Sequence, residues 1–260
     1  SSGRYDEARE LFRDRLATPL YFQFGAFNLR IELLRALFPD GEDRPPRLKN
    51  ESDQAWTLNE LANSYSFSGQ SQKAVPLFEM VNRLKEKAGD KKNLAIGLGN
   101  LAYQQVAIGN LEAAESNLRR AIRLSQEIEA EEDVATWHQE LGRLLAYQGR
   151  FSESEKELAE STRYCEKTDD KQGLCLDEAY RALRSLLMED ADKALKEALR
   201  ARELADVEKV ERDIIRAEWL IGTAFLARGD LKQAESHLNE ALSRDRRINL
   251  VDLEPDILLA

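Results

Sequence analysis

The most constraining feature of this chain is a period of 40 residues. Gly69, Gly109, Gly149 and Gly229 lie 40, 40 and 80 residues apart, and the vacant slot at 189 holds Glu189 in LLMEDADKA. Five residues after each slot stands a small residue: Ala74, Ala114, Ser154, Ala194 and Ala234. Four further on come Phe78, Leu118, Leu158, Ala198 and Leu238, and three beyond those Val81, Ala121, Ser161, Ala201 and Ala241. Spacings of four and three place side chains on one face of a helix. Upstream, Leu61, Leu101, Leu141, Arg181 and Ile221 share a register. Each is followed by a residue small enough for two helices to approach closely: Ala62, Ala102, Gly142, Ala182 and Gly222. Each unit therefore reads as a helix, a tight turn in which glycine takes a positive φ, and an antiparallel second helix. The expected fold class is all-α, with five hairpins over residues 55–248.

The units LNELANSYSFSGQSQKAVPLF and LGNLAYQQVAIGNLEAAESNLRRAI resemble the tetratricopeptide repeat (TPR), with its small residue after a leucine in the first helix and its small, large, small series in the second. The family repeat is 34 residues, so helices lengthened by about one turn are expected, as in the kinesin-light-chain-like branch. The resemblance implies a right-handed α-α superhelix whose inner, concave face is lined by the first helix of each unit. The fourth unit fits least, with Arg181 at an apolar position and no turn glycine, and is expected to be tilted or displaced. Residues 1–54 read as degenerate repeat helices. RYDEARELF resembles the second helix of a preceding unit, FGAFNLRIELLRALF a long amphipathic helix ending at Pro39, and 39–54 a loop rich in Pro and charge. Residues 249–260 read as the start of a further repeat. With no initiator Met, and with Ser1-Ser2-Gly3 read as a cloning remnant, the chain is expected to be part of a longer protein.

Composition removes several function classes. Lys and Arg number 38 against 48 Asp and Glu, and the net charge of −10 opposes attraction to nucleic acid or to anionic membrane. The two cysteines, Cys165 and Cys175, form neither a disulfide framework nor a CxxC pair, and point to a reducing cytoplasm. No run of 18 apolar residues and no signal-peptide pattern is present, so the expected location is cytoplasmic. GxxxxGK[ST], GxGxxG, HExxH and GxSxG are all missing, and so are the chemistries they serve. His138 and His237 sit about 100 residues apart, too far along the repeat register to act as a pair. Glu131-Glu132 and Asp169-Asp170 mark helix starts. No catalysis, cofactor or metal is expected.

The register nominates concave-face residues: Asn59 and Asn63 in the first unit, Asn100 and Tyr103 in the second, Gln139 and Arg143 in the third, Tyr180 in the fourth, and Trp219 and Thr223 in the fifth. Asn63 and Asn100 resemble the asparagine pair with which many tetratricopeptide proteins grip a peptide backbone. An amide donates to a carbonyl and accepts from an N–H together, so it holds an extended chain whatever its side chains. The carboxylate clamp of the chaperone-tail subclass is not expected, because Asn59, Thr136 and Glu140 stand where it needs lysine and arginine. Tyr103, Tyr180 and Trp219 are candidate aromatic anchors. The implied partner is a protein or peptide. FGAFNLRIELLRALFPDGEDRPPRLK, AWTLNELANSYSFSG and RRINLVDLEPDILLA further resemble the C-terminal arrays of bacterial STAND-type signalling ATPases, which implies a sensor domain restraining an ATPase or effector domain outside this chain. Two alternatives remain open: a structural module for self-association or spacing, and a substrate-recruiting part of an enzyme whose catalytic domain lies elsewhere. The oligomeric state is open.

Overall fold

The structure, a computed structural model, describes residues 4–23, 25–248 and 253–260, and among them there is no β-strand. The period is realised directly. The first helices α3 (Glu51–Phe67), α5 (Lys91–Ala107), α7 (Glu131–Tyr147), α9 (Lys171–Leu187) and α11 (Glu211–Ala227) start 40 residues apart and are each 17 residues long. The second helices α4 (Ser71–Lys87), α6 (Leu111–Glu127), α8 (Phe151–Thr168), α10 (Ala191–Glu208) and α12 (Leu231–Ile248) start midway between them. Ahead of the repeats lie α1 (Tyr5–Leu11) and α2 (Phe27–Arg35), and α13 (Glu254–Leu259) follows them. The chain forms two compact units, 1–124 and 125–260, with the boundary inside α6.

Eight of the nine turns between α3 and α12 close in the same way. The chain passes through a left-handed residue, and the next N–H returns to a carbonyl five residues back: Gln70 to Tyr65 at 2.8 Å, Asn110 to Gln105 at 2.8 Å, Asp190 to Ser185 at 2.9 Å, Asp230 to Phe225 at 3.0 Å; after α10 it is the Lys209 N–H that returns, to the Ala205 carbonyl at 2.8 Å. Two of the last-turn carbonyls that a helix leaves unsatisfied are thereby bonded. Within hairpins the left-handed residue is Gly69, Gly109, Gly149, Glu189 or Gly229; between hairpins it is Gly89, Glu129, Asp169 or Lys209. The second series was invisible as a glycine pattern because three of its four members carry side chains. Asp or Asn then caps the next helix: Asn50, Asp90, Asp170 and Asp190 each accept the N–H three residues on.

In the first unit Leu58, Leu61, Ala62 and Tyr65 of α3 pack with Ala74, Leu77, Phe78 and Val81 of α4 and Leu101 of α5. Leu61 is fully buried, worth about 2–3 kcal/mol of transfer free energy. Phe12, Leu20, Ile31, Leu34, Leu37 and Phe38 extend this core. The long helix expected over FGAFNLRIELLRALF is shorter, Phe27–Arg35. Gly25 is left-handed before it, and Pro39 disfavours helical backbone at Phe38. After α1 the backbone widens into π-helical turns at Phe12–Leu16 and Pro19–Gln23. Pro19 has no N–H for the carbonyl of Arg15. The loop ends at Asn50, and α3 begins at Glu51, four residues ahead of the first expected repeat.

In the second unit the first helices touch one another, α7 on α9 and α9 on α11, and each packs on its own second helix. Close approach follows from the small residue after the register position. A Cβ on Gly142 would sit 2.7 Å from Leu158 Cγ, and one on Gly222 2.7 Å from Leu238 Cγ. The fourth hairpin, expected to be displaced, keeps its register at Lys171 and Ala191. Its irregularity is chemical: Arg181 turns its guanidinium to Glu155, Glu178 and Thr162. Ser1–Gly3 and 249–252 lie outside the described residues. Of the expected terminal repeat, Leu253, just ahead of α13, and Ile257 within it are buried against Ile215 and Ala241.

Candidate functional site

In the first unit the face that carries the candidates is polar, and Glu60 of α3, at the register of Asn100, is paired there with Arg30. Asn59 and Asn63 are one helical turn apart on α3, and Asn100 and Tyr103 one turn apart on α5. All four are half-buried, and half-buried Trp56 and Ile96 continue the two stripes. Gln104 Nε2 donates to Ser66 Oγ at 2.6 Å, holding α5 against α3. Among the described residues none of the three asparagine side chains has a hydrogen-bond partner. Half-buried amides in this state have paid part of their desolvation cost and keep both donors and the acceptor for an incoming chain. Repeat arithmetic also separates the pair. Asn63 shares its position with Tyr103, Arg143 and Thr223, whereas Asn100 shares its position with Glu60, Glu140 and Tyr180.

In the second unit the corresponding groups are consumed internally. Gln139 is buried, and its Nε2 donates to Asp177 Oδ1 at 2.8 Å and to the Gly173 carbonyl at 3.0 Å. Tyr180 is buried too, and its hydroxyl donates to Glu140 Oε1 at 2.7 Å. Arg143 grips Glu140 Oε2 through Nε and Nη2 at 3.0 and 2.7 Å, with its guanidinium over the rings of Tyr147 and Tyr180. Arg216 covers Tyr180 as well and pairs with Asp213 at 2.9 Å. Burial works against the Glu140 carboxylate, but Arg143, the Tyr180 hydroxyl and Arg216 outweigh it and hold the group below its usual range. Burial and the Glu140 charge push the Tyr180 phenol well above its usual range. The ionised Glu140 would repel a ligand carboxylate. Trp219 packs into the core beside Ile214 and Leu253, with its indole N–H buried, and Thr223 returns its hydroxyl to the Trp219 carbonyl at 2.9 Å. Gln139 and Tyr180 are thus interior groups rather than presented ones, and Trp219 is half-buried against the core. Gln139 and Tyr180 share their registers with Asn59 and Asn100, and in their case a neighbouring helix supplies a partner, Asp177 or Glu140.

His138 Nδ1 lies 2.6 Å from Glu157 Oε2, and His237 Nδ1 2.6 Å from Glu218 Oε2. Both pairs tie a first helix to its own second helix, and Glu218 also accepts from Arg202 at 2.7 Å. Among the described residues no group of His, Cys, Asp and Glu is arranged to hold a metal, and no helix is long and apolar enough to cross a membrane. Sequence reasoning missed Asp177, a fully buried carboxylate held by Gln139 and by Thr162 Oγ1 at 2.9 Å. Its signal was available: the other units place Thr57, Gly97, Trp137 and Ala217 at that register, all uncharged and all buried.

No protein-family model matches the sequence, and no curated protein matches it. Solved structures do. RapI in its apo form aligns with a TM-score of 0.72 at 14% identity, over 94% of this chain and 85% of that one. A putative kinesin light chain with nearly identical TPR-like repeats, from Podosopora anserina, aligns at 0.54 with 18% identity, over 77% and 99%. A Rap protein complexed with competence and sporulation factor aligns at 0.66 with 11% identity, over 96% and 66%. At these identities the likeness is one of fold, and the chain has the fold of the TPR-like helical repeat proteins.

Proposed function

We propose that this protein is a non-catalytic binding module that captures an extended protein or peptide segment along the first-helix face of α3 and α5. One observation carries the reading: Asn59, Asn63 and Asn100 are half-buried amides without partners, beside Tyr103, while the equivalent polar groups of the second unit are spent on one another. An amide-bearing face on which Glu60 is already paired with Arg30 suits backbone recognition of a neutral segment. The complex of a Rap protein of this fold with competence and sporulation factor supports ligand capture by such helical stacks. The sequence likeness to STAND-type arrays extends the proposal: the module is the sensor or regulatory part of a larger signalling protein, and its intramolecular partner is that protein's ATPase or effector domain.

The test compares wild type with an Asn63→Ala/Asn100→Ala variant of matched melting temperature in pull-downs from native extract. Loss of two backbone-bonding amides costs about 2–3 kcal/mol, hence more than tenfold in affinity. A partner retained by wild type and lost by the variant supports the face. Equal recovery by both proteins sinks it. A nucleotide-binding loop encoded upstream in the same gene is the separate test of the signalling context.

A further inference from the structure

The fourth hairpin departs from the repeat at two positions, one on each of its helices. The other first helices carry Leu61, Leu101, Leu141 and Ile221, each no more than 4% exposed, where α9 has Arg181; the other second helices carry Phe78, Leu118, Leu158 and Leu238 where α10 has Ala198. A guanidinium thus stands where the other hairpins bury an aliphatic side chain. A cleft of about 610 Å³ lies there between α9 and α10, with the half-buried Arg181 in its wall. Lys193, Lys196 and Arg200 project from one stripe of α10 into the lining, and the exposed Leu199 lies among them.

The acids of the lining are already engaged. Glu178 pairs with Arg181 at 3.3 Å, Glu203 with Arg200 at 2.7 Å, and the buried Glu197 accepts from Ser185 at 2.6 Å with Lys193 at 3.7 Å. Lys196 has no ion pair among the described residues. Basic groups outnumber acidic ones four to three in this lining, in a chain where acids outnumber bases 48 to 38. The surplus donors are an ammonium, the remaining N–H groups of Arg200 and most of Lys193.

We infer that the α9–α10 cleft is a second interaction surface, distinct from the amide face, whose occupant is an acidic segment of a partner protein bearing an apolar residue for Leu199. Glu or Asp side chains of that segment bond Lys193, Lys196 and Arg200, and its aliphatic side chain covers Leu199. The overall charge of −10 works against nonspecific capture of an acidic chain, so retention of one reports a local site.

The probe is a fluorescein-labelled octapeptide, Glu-Glu-Leu-Glu-Glu-Leu-Glu-Glu, read by fluorescence anisotropy at low salt against its Gln-for-Glu counterpart. The acidic peptide should bind at least tenfold more tightly than the Gln peptide. Lys196→Glu/Arg200→Glu, both exposed, should lose that preference, as should Arg181→Leu, which restores the residue type of the other hairpins. Asn63→Ala/Asn100→Ala should bind the acidic peptide as wild type does, so failure here and failure of the amide face are told apart. Equal binding of the two peptides, full binding by Lys196→Glu/Arg200→Glu, or stronger displacement by an oligothymidylate than by unlabelled acidic peptide would overturn the inference.

Discussion

Asp177→Asn should stabilise the protein at neutral pH. The carboxylate is fully buried among Gln139 of α7, Ser161, Thr162 and Cys165 of α8, and Arg181 of its own helix. Desolvation dominates, and the hydrogen bonds from Gln139, Thr162 and Ser161 with the charge of Arg181 offset it only in part, so the group is pushed up from 3.8 to about 6. A raised folded-state value means that its favourable contribution is complete below pH 3.8 and is lost as pH rises through about 6. The full span of that loss is about 3 kcal/mol, and about 1 kcal/mol of it is recovered between pH 8 and pH 5. Asparagine is isosteric and keeps the Gln139 and Thr162 contacts, accepting from Gln139 and donating to Thr162, whose hydroxyl retains the Leu158 carbonyl at 2.9 Å. In urea denaturation followed by circular dichroism, the variant should exceed wild type by on the order of 2 kcal/mol at pH 8. The gap should narrow at pH 5 and close near pH 4. A gap independent of pH, or a variant equally destabilised throughout, would refute the idea that an ionised carboxylate is held there against its solvation.

Other substitutions probe separate links. Glu189 takes φ 60° with a side chain, so Glu189→Gly should stabilise by roughly 0.5–1 kcal/mol. Gly109→Ala should cost about 1 kcal/mol through φ 78° alone, since a Cβ there meets nothing within 4 Å; chemical denaturation reads both. Arg30 is buried under Phe12 and Tyr21 and bonds Glu60, Ser64 Oγ and the Ala17 carbonyl. Arg30→Met should cost about 3 kcal/mol and raise amide exchange in α1 and α2 selectively. Burial pushes the thiols of Cys165 and Cys175 up to about 11 and about 12, so iodoacetamide at pH 8 should leave both unmodified until the protein unfolds.

The repeat was legible because it is written in short-range chemistry. Glycine at positive φ, alternation of four and three, and the small residue behind Leu61, Leu101 and Leu141 act within one hairpin and recur in register, so hairpin number, helix direction and core faces follow from counting. The place of Asn63 and Asn100 on a first-helix stripe was readable from the register, but not whether their amides are paired. Tertiary structure decided the rest. Whether a polar side chain is offered or consumed depends on the residue across the interface: Gln139 finds Asp177 38 positions away, and Tyr180 finds Glu140 40 positions away. Period arithmetic names the register of such a residue but not its partner's chemistry. Arg181 is the clearest case, an error in the repeat by sequence and a paired guanidinium in a cleft wall by structure, because Glu155 and Thr162 of α8 meet it only after the helices pack.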